Sequence, residues 1–219
     1  MSHVTLVRHG QANSAALDEL DYDRLSPLGW QQARWLGEHL RDTGEVFARL
    51  YCGTLRRHRE TAQGLNAPSA SEIIFDDRLN ELEYFTMSQL LAQQHDVPTP
   101  NGPEEFARHF PKMLGYWQED RIINAPERFS DFEARVEAVL TEIAAGQGRA
   151  LVVTSGGLIG MAMRVTMGLD LVAMSKATLA IQNSSLHRWQ PMPLGLGLTQ
   201  FNATPHLESA DRAHARTHV

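Results

Sequence analysis

The sequence predicts an α/β sandwich with a largely parallel sheet. Short apolar, β-branched runs alternate with stretches of helical periodicity, and several of those runs end in small or polar residues that open a helix. Residues 4–7 form the first such run, ending at Arg8-His9-Gly10, and predict a buried strand. Ser26-Pro27 then opens a helix, with serine as N-cap and proline at the first helical position. Ala33, Leu36, Gly37 and Leu40 share one face of it, and Gly44 supplies the stop. Residues 47–52 predict a second strand, 55–65 a polar helix and 72–75 a third strand. Residues 86–128 are helical in composition but broken by Pro98, Pro100, Pro103 and Pro111, as expected of an insertion of short helices over one end of the sheet. Ser130-Asp131-Phe132-Glu133 reads as a capping box before Phe132, Val136, Leu140 and Ile143 at helical spacing. Residues 150–154 are the clearest buried strand, and Ser155-Gly156-Gly157 leads into an apolar helix through Met167. Strands at 184–190 and 197–202 complete the pattern. Residues 1–202 thus read as one domain, followed by a polar tail, 203–219, expected to be poorly ordered.

Composition narrows the possibilities. With 219 residues, 42% hydrophobic and 21% charged, the chain is an ordinary globular sequence able to bury a core without staples. Its single cysteine, Cys52, excludes an internal disulfide and a multi-cysteine zinc site. No segment reads as a signal peptide or reaches membrane-spanning length, so the expected location is the cytoplasm, with no membrane partner. The formal net charge of −6 argues against nucleic acid as a partner. P-loop, G-x-G-x-x-G and H-E-x-x-H patterns are absent, so no cofactor or metal is expected.

Arg8-His9-Gly10, residues 53–57 and Ser155-Gly156 sit at predicted strand ends, where α/β sheets bind ligands, and three segments carry residues suited to phosphate chemistry. Arg8-His9-Gly10 joins a fixed cation to an imidazole that can attack phosphorus, with a small residue beside it. Arginine's planar fork suits a dianionic phosphoryl group. Leu55-Arg56-Arg57-His58-Arg59-Glu60-Thr61-Ala62 places a basic run in a first helical turn, an unfavourable position without an anion nearby. Arg78-Leu79-Asn80-Glu81-Leu82-Glu83 offers a carboxylic acid to protonate a leaving oxygen and then activate water. Spacing alone does not choose between Glu81 and Glu83.

Together these segments resemble the histidine phosphatase superfamily, the phosphoglycerate-mutase-like proteins. The resemblance spans nearly the whole chain. It rests on Leu6-Val7-Arg8-His9-Gly10-Gln11, Leu25-Ser26-Pro27-Leu28-Gly29-Trp30-Gln31-Gln32-Ala33, the Leu55, Arg57, Glu60, Thr61, Ala62 pattern, Arg78-Leu79-Asn80-Glu81, and Val152-Val153-Thr154-Ser155-Gly156-Gly157. It implies a three-layer α/β/α domain with His9 as nucleophile, Arg8 and Arg57 as phosphate ligands and Glu81, rather than Glu83, as proton donor. The implied reaction is hydrolysis of a small phosphorylated metabolite through a phosphohistidine, without metal. The implied specificity element is the insertion at about 86–128.

The sequence departs from the family pattern at two places. The last motif normally ends in His-Gly, whereas here Ser155 stands in the histidine's place. Losing one preorganised donor costs on the order of 10²–10³ in rate. Either the chain is a degenerate phosphate-binding module with little catalysis, or a neighbour compensates. His58, which adjoins Arg57, is the candidate, expected to project a protonated ring toward the phosphate and restore the missing charge. The mutase branch has an asparagine six residues after the nucleophile. That position is Ala15, with Asn13 displaced from it, so hydrolysis is favoured over a phosphoglycerate-type mutase. A serine hydrolase built on Ser155 lacks the first glycine of the elbow motif, and only His206 and Asp211 stand out as partners.

Overall fold

Strands made wholly of Val, Leu, Ala and Thr have no polar face and need cover on both sides. The computed structural model describes residues 3–69 and 72–218; Met1, Ser2 and Val219, which the expected domain and tail include, lie outside them. β1 (Val4–Arg8) and β4 (Ala150–Thr154) are buried along their whole length. They pair in parallel at the centre of a six-stranded sheet of order β3-β2-β4-β1-β5-β6. β2 (Arg49–Cys52) and β3 (Ile73–Phe75) extend the parallel half. β5 (Leu186–Met192) runs antiparallel to β1, and β6 (Gly195–Ala203) antiparallel to β5.

Alternation along β1 sorts the two cores. Val7 packs with Leu36 and Leu40 of α2 (Pro27–Asp42) and Leu65 of α3 (Arg56–Leu65) on one face. Leu6 packs on the other with α6 (Phe129–Ala145) and α7 (Gly156–Met167), giving three layers. The helices that follow β1 and β4 therefore leave the sheet on opposite sides, which opens a crevice at the strand ends. Around it lie α1 (Glu19–Tyr22), α4 (Tyr84–His95), α5 (Pro103–Gln118) and α8 (Leu171–Ala180). No helix among the described residues is long and apolar enough to cross a membrane.

Ser26 caps α2 as expected, its side chain accepting from Gly29 N–H at 3.0 Å. Three expectations fail. Pro111 does not break the insertion, since α5 runs unbroken from Pro103 to Gln118. The capping box at Ser130 does not form, because α6 already begins at Phe129, whose ring packs edge-on against Trp117. Glu133 is drawn instead to Arg164 at 2.7 Å. The tail is not loose either. Leu207 and Ala215 are buried, Gln32 Nε2 donates to the Ala215 carbonyl at 2.7 Å, and Thr217 Oγ1 donates to Asn183 Oδ1 at 2.8 Å. Scattered apolar residues among many polar ones hide this packing from a composition reading.

Candidate active site

The parallel register sets three strand ends side by side. His9 N–H donates to the Thr154 carbonyl at 2.8 Å and Gly53 N–H to the Val153 carbonyl at 3.0 Å, so His9, Gly53 and Ser155 leave the sheet together. A cavity of about 620 Å³ opens there, lined by Arg8, Arg57, Glu81, Gly156 and Gly157 at its inner end. His9 lies buried beside it, its ring centroid 6.3 Å from the cavity-lining Tyr22 and 5.8 Å from His58.

The His9 ring is held in one tautomer. Nδ1–H donates to the Gly10 carbonyl at 2.7 Å, which leaves the lone pair on Nε2. Burial, then the charges of Arg57 and Arg8 and the neighbouring His58, hold its pKa well below the ordinary imidazole value. The ring is therefore neutral and nucleophilic at neutral pH. Arg8 and Arg57 are buried guanidiniums, each anchored through Nη1: Arg8 on the Ile181 carbonyl, Arg57 on Asp23 Oδ1 at 3.0 Å. The Nε of each is buried without a hydrogen-bond partner. Both side chains line the cavity, and two guanidiniums at one cavity suit an anion.

The basic run at 56–59 does not converge as a block. Arg56 pairs with Glu60, and Arg59 lies over the Phe75 ring with its Nε on the Thr54 carbonyl. The anion that the crowded first turn requires is Asp23, which sequence reasoning missed. It accepts from Arg56 N–H at 2.9 Å and Arg57 N–H at 3.1 Å. Its chemical signal was the unmatched basic turn itself, but no spacing connects position 23 to position 57.

Other motif residues serve as ties. Thr61 Oγ1 accepts from Gly10 N–H at 3.1 Å, Gln32 Oε1 from Gln11 N–H at 2.7 Å, and Glu60 from Leu25 N–H at 2.7 Å. These bonds fix the loop that follows His9. Asn13 lines the cavity, and its amide donates to Asp21 Oδ2 at 2.9 Å.

The structure separates the two glutamates. Thr154 Oγ1 donates to the Leu79 carbonyl at 2.7 Å, and Arg135 Nη1 donates to the carbonyls of Arg78 and Asn80 at 2.7 and 3.0 Å. Tied in this way, Glu81 reaches the first turn of α7, where Oε2 accepts from Gly157 N–H at 2.8 Å. Gly157 leaves room for this approach, since a Cβ there would lie 2.3 Å from Glu81 Oε1 and push the carboxylate aside. Glu83 is exposed and accepts from Thr86 Oγ1 at 3.2 Å. A second cavity of about 400 Å³ lies behind Glu81, but its cations are spent, Arg78 on Asp76 and Glu142, Arg135 on Glu127.

Ser155 is buried at the N-cap of α7 without capping it, because its Oγ lies 2.6 Å from His58 Nε2. His58 thus fills the space beside Ser155. Gly53 makes room for the ring, as a Cβ there would sit 2.1 Å from His58 Nδ1. Nδ1 is buried and unpartnered. An orphaned acceptor is cheaper than an orphaned N–H, so the proton belongs on Nε2, donated to Ser155 Oγ. The protonated ring expected from the sequence is opposed by burial first and by Arg57 second, which together hold the pKa well below the usual value. Among the described residues, no group of three or more metal-ligating side chains comes together.

The whole architecture recurs in solved structures. Phosphoserine phosphatase from Entamoeba histolytica, in complex with 3-phosphoglyceric acid, superposes with a TM-score of 0.68 at 18% identity, covering 94% of this chain and all of that one. A mycobacterial glucosyl-3-phosphoglycerate phosphatase bound to inorganic phosphate gives 0.64 at 22% identity, over 94% of this chain and 99% of the other. In sequence, the Salmonella paratyphi A protein described as "Probable phosphoglycerate mutase GpmB" is 31% identical over 194 residues, 86% of this chain and 84% of that one. A family model described as the histidine phosphatase superfamily (branch 1) matches residues 4–204. With that match running from the first strand to the end of the last, the chain belongs to branch 1 of the histidine phosphatase superfamily.

Proposed function

We propose that the protein hydrolyses small phosphomonoesters through a phosphohistidine at His9. The observation that carries this reading is a neutral imidazole with a free Nε2 beside two buried guanidiniums whose Nε groups have no partner. In the first step Nε2 attacks phosphorus, the P–O bond to the alcohol breaks, and Glu81 gives its proton to the leaving oxygen. In the second, Glu81 takes a proton from water, which attacks the phosphohistidine and releases inorganic phosphate. Arg8, Arg57 and the first turn of α7 neutralise the charge of the transferring group.

Ser155 supplies the remaining donor in this scheme. With Nε2–H of His58 donating to Oγ, the serine hydroxyl proton is free to point at a phosphoryl oxygen. His58 is then a positioning residue acting through Ser155, with no charge of its own. His58→Ala is expected to lower kcat about 10²-fold. The double variant H58A/S155H, in which a histidine at 155 takes the vacated space, should recover part of that loss. Wild-type kcat in His58→Ala would remove the pairing from the mechanism.

One feature favours hydrolysis over phosphoryl shuttling. Beyond Arg8 and Arg57, the basic residues lining the cavity are Arg216, whose Nε is on the Leu207 carbonyl, and His218, both exposed. Neither makes a buried second phosphate site of the kind a bisphosphate intermediate needs. Ser155 and His58 also invite a serine-nucleophile reading, but no carboxylate orients His58 Nδ1, and His206 is engaged with Ser184 Oγ at 2.8 Å.

The test is acid-sensitive trapping. Rapid quenching in alkali with a ³²P-labelled ester should leave protein-bound label that acid removes, as a P–N bond requires. Tight ester binding with neither label nor inorganic phosphate would make the chain a binding module instead.

A further inference from the structure

We propose that the alcohol released by this site is bulky, largely apolar and free of a second anionic group, so that the substrate class is aryl-alkyl phosphomonoesters. This rests on the phosphatase reading and adds to it the identity of the leaving group. The cavity of about 620 Å³ is far larger than a three-carbon phosphate ester needs, and it runs outward from Arg57 and Glu81 along one continuous aromatic wall.

That wall is built from α4 and α5. Tyr84 and Phe106 meet edge to face at 5.0 Å, and Phe106 stacks with Phe110 at 5.7 Å. Phe85 joins them to Tyr22, their centroids 5.6 Å apart. The polar handles on this surface are already taken, because the Tyr84 hydroxyl lies 2.9 Å from His109 Nδ1 and the Tyr22 hydroxyl is engaged with Arg8. What remains toward the cavity is ring surface, which returns free energy only to an apolar guest.

Charge selects in the same direction. Glu19 lines this part of the cavity and, among the described residues, makes no ion pair; its Oε1 accepts from Phe85 N–H at 2.7 Å. Burial raises its pKa to about 7. A carboxylate or second phosphate on the substrate would be placed between Glu19 and Glu81. Arg216 and His218 are exposed residues of the tail, suited to drawing an anion toward the mouth rather than holding one inside.

The experiment compares kcat/KM for 2-phenylethyl phosphate, glycerol 3-phosphate and 3-phosphoglycerate, all of which release alkanols, so leaving-group acidity does not decide the order. 2-Phenylethyl phosphate is expected to lead by about 10-fold or more, the factor that burying one phenyl group returns. Phe106→Ala should narrow that lead, and Glu19→Gln should raise kcat/KM for 3-phosphoglycerate about 5-fold or more. Equal values, or a preference for 3-phosphoglycerate, would overturn the proposal while leaving the phosphatase reading intact. No inorganic phosphate from any of the three, with no trapped phosphoenzyme, would overturn both.

Discussion

His9→Ala is expected to abolish phosphomonoesterase activity, lowering kcat roughly 10⁴–10⁶-fold, as loss of a covalent nucleophile does. The anion site should survive, because Arg8 and Arg57 are anchored on the Ile181 carbonyl and Asp23 rather than on His9. Inorganic phosphate should therefore still bind the variant, and its calorimetric titration separates lost chemistry from lost folding. The wild-type enzyme supplies a companion reading in pH. In the proposed mechanism His9 attacks only when unprotonated, and in the free protein its pKa is held well below the usual value by burial and by Arg57 and Arg8. The competent form therefore persists as pH falls through 6.5, and the His9-dependent loss of kcat/KM sets in only at lower pH. Hydrolysis by His9→Ala at a rate near wild type would sink the phosphohistidine mechanism.

Glu81→Gln is the second large effect. The amide oxygen can still accept from Gly157 N–H, so the loop and the start of α7 should keep their geometry. What is lost is the proton. A general acid contributes about 10²–10⁴-fold, and the loss in kcat/KM should fall in that range for an alkyl ester. For p-nitrophenyl phosphate it should be much smaller, because nitrophenolate departs without protonation. The contrast between leaving groups distinguishes a proton donor from a residue that merely supports the fold. Equal losses for both esters would reassign Glu81 to a structural part.

Much of this was legible in the residues. Strands end where apolar runs meet Arg8-His9-Gly10 and Ser155-Gly156-Gly157 because a buried strand must stop where polar chemistry begins. The helix signals at Ser26-Pro27 and Gly44 are local, and the fold keeps both. Asp23, Glu19 and the tail were not legible, since each matters through a partner far away in sequence: Asp23 through Arg57, Glu19 through Phe85, Ala215 and Thr217 through Gln32 and Asn183. The Ser130 capping box failed for the converse reason, a correct local pattern overruled by the packing of Phe129 on Trp117. His58 lies between these cases. Its unusual position was visible in the sequence, while its neutrality follows from complete burial beside Arg57.

The close fit of Gly53 beneath His58 has a meaning for how this site changes by mutation. Gly53, His58 and Ser155 are three positions with one shared volume, since a Cβ at 53 and the ring at 58 exclude each other, and the ring reaches Ser155 at 2.6 Å. Three single steps away from the present set are each expected to cost: Gly53→Ala strikes the ring, Ser155→His crowds it, and His58→Ala leaves Ser155 without its partner. Histidine at 58 thus holds position 53 to glycine. Placing a histidine at 155 in its stead takes two substitutions made together.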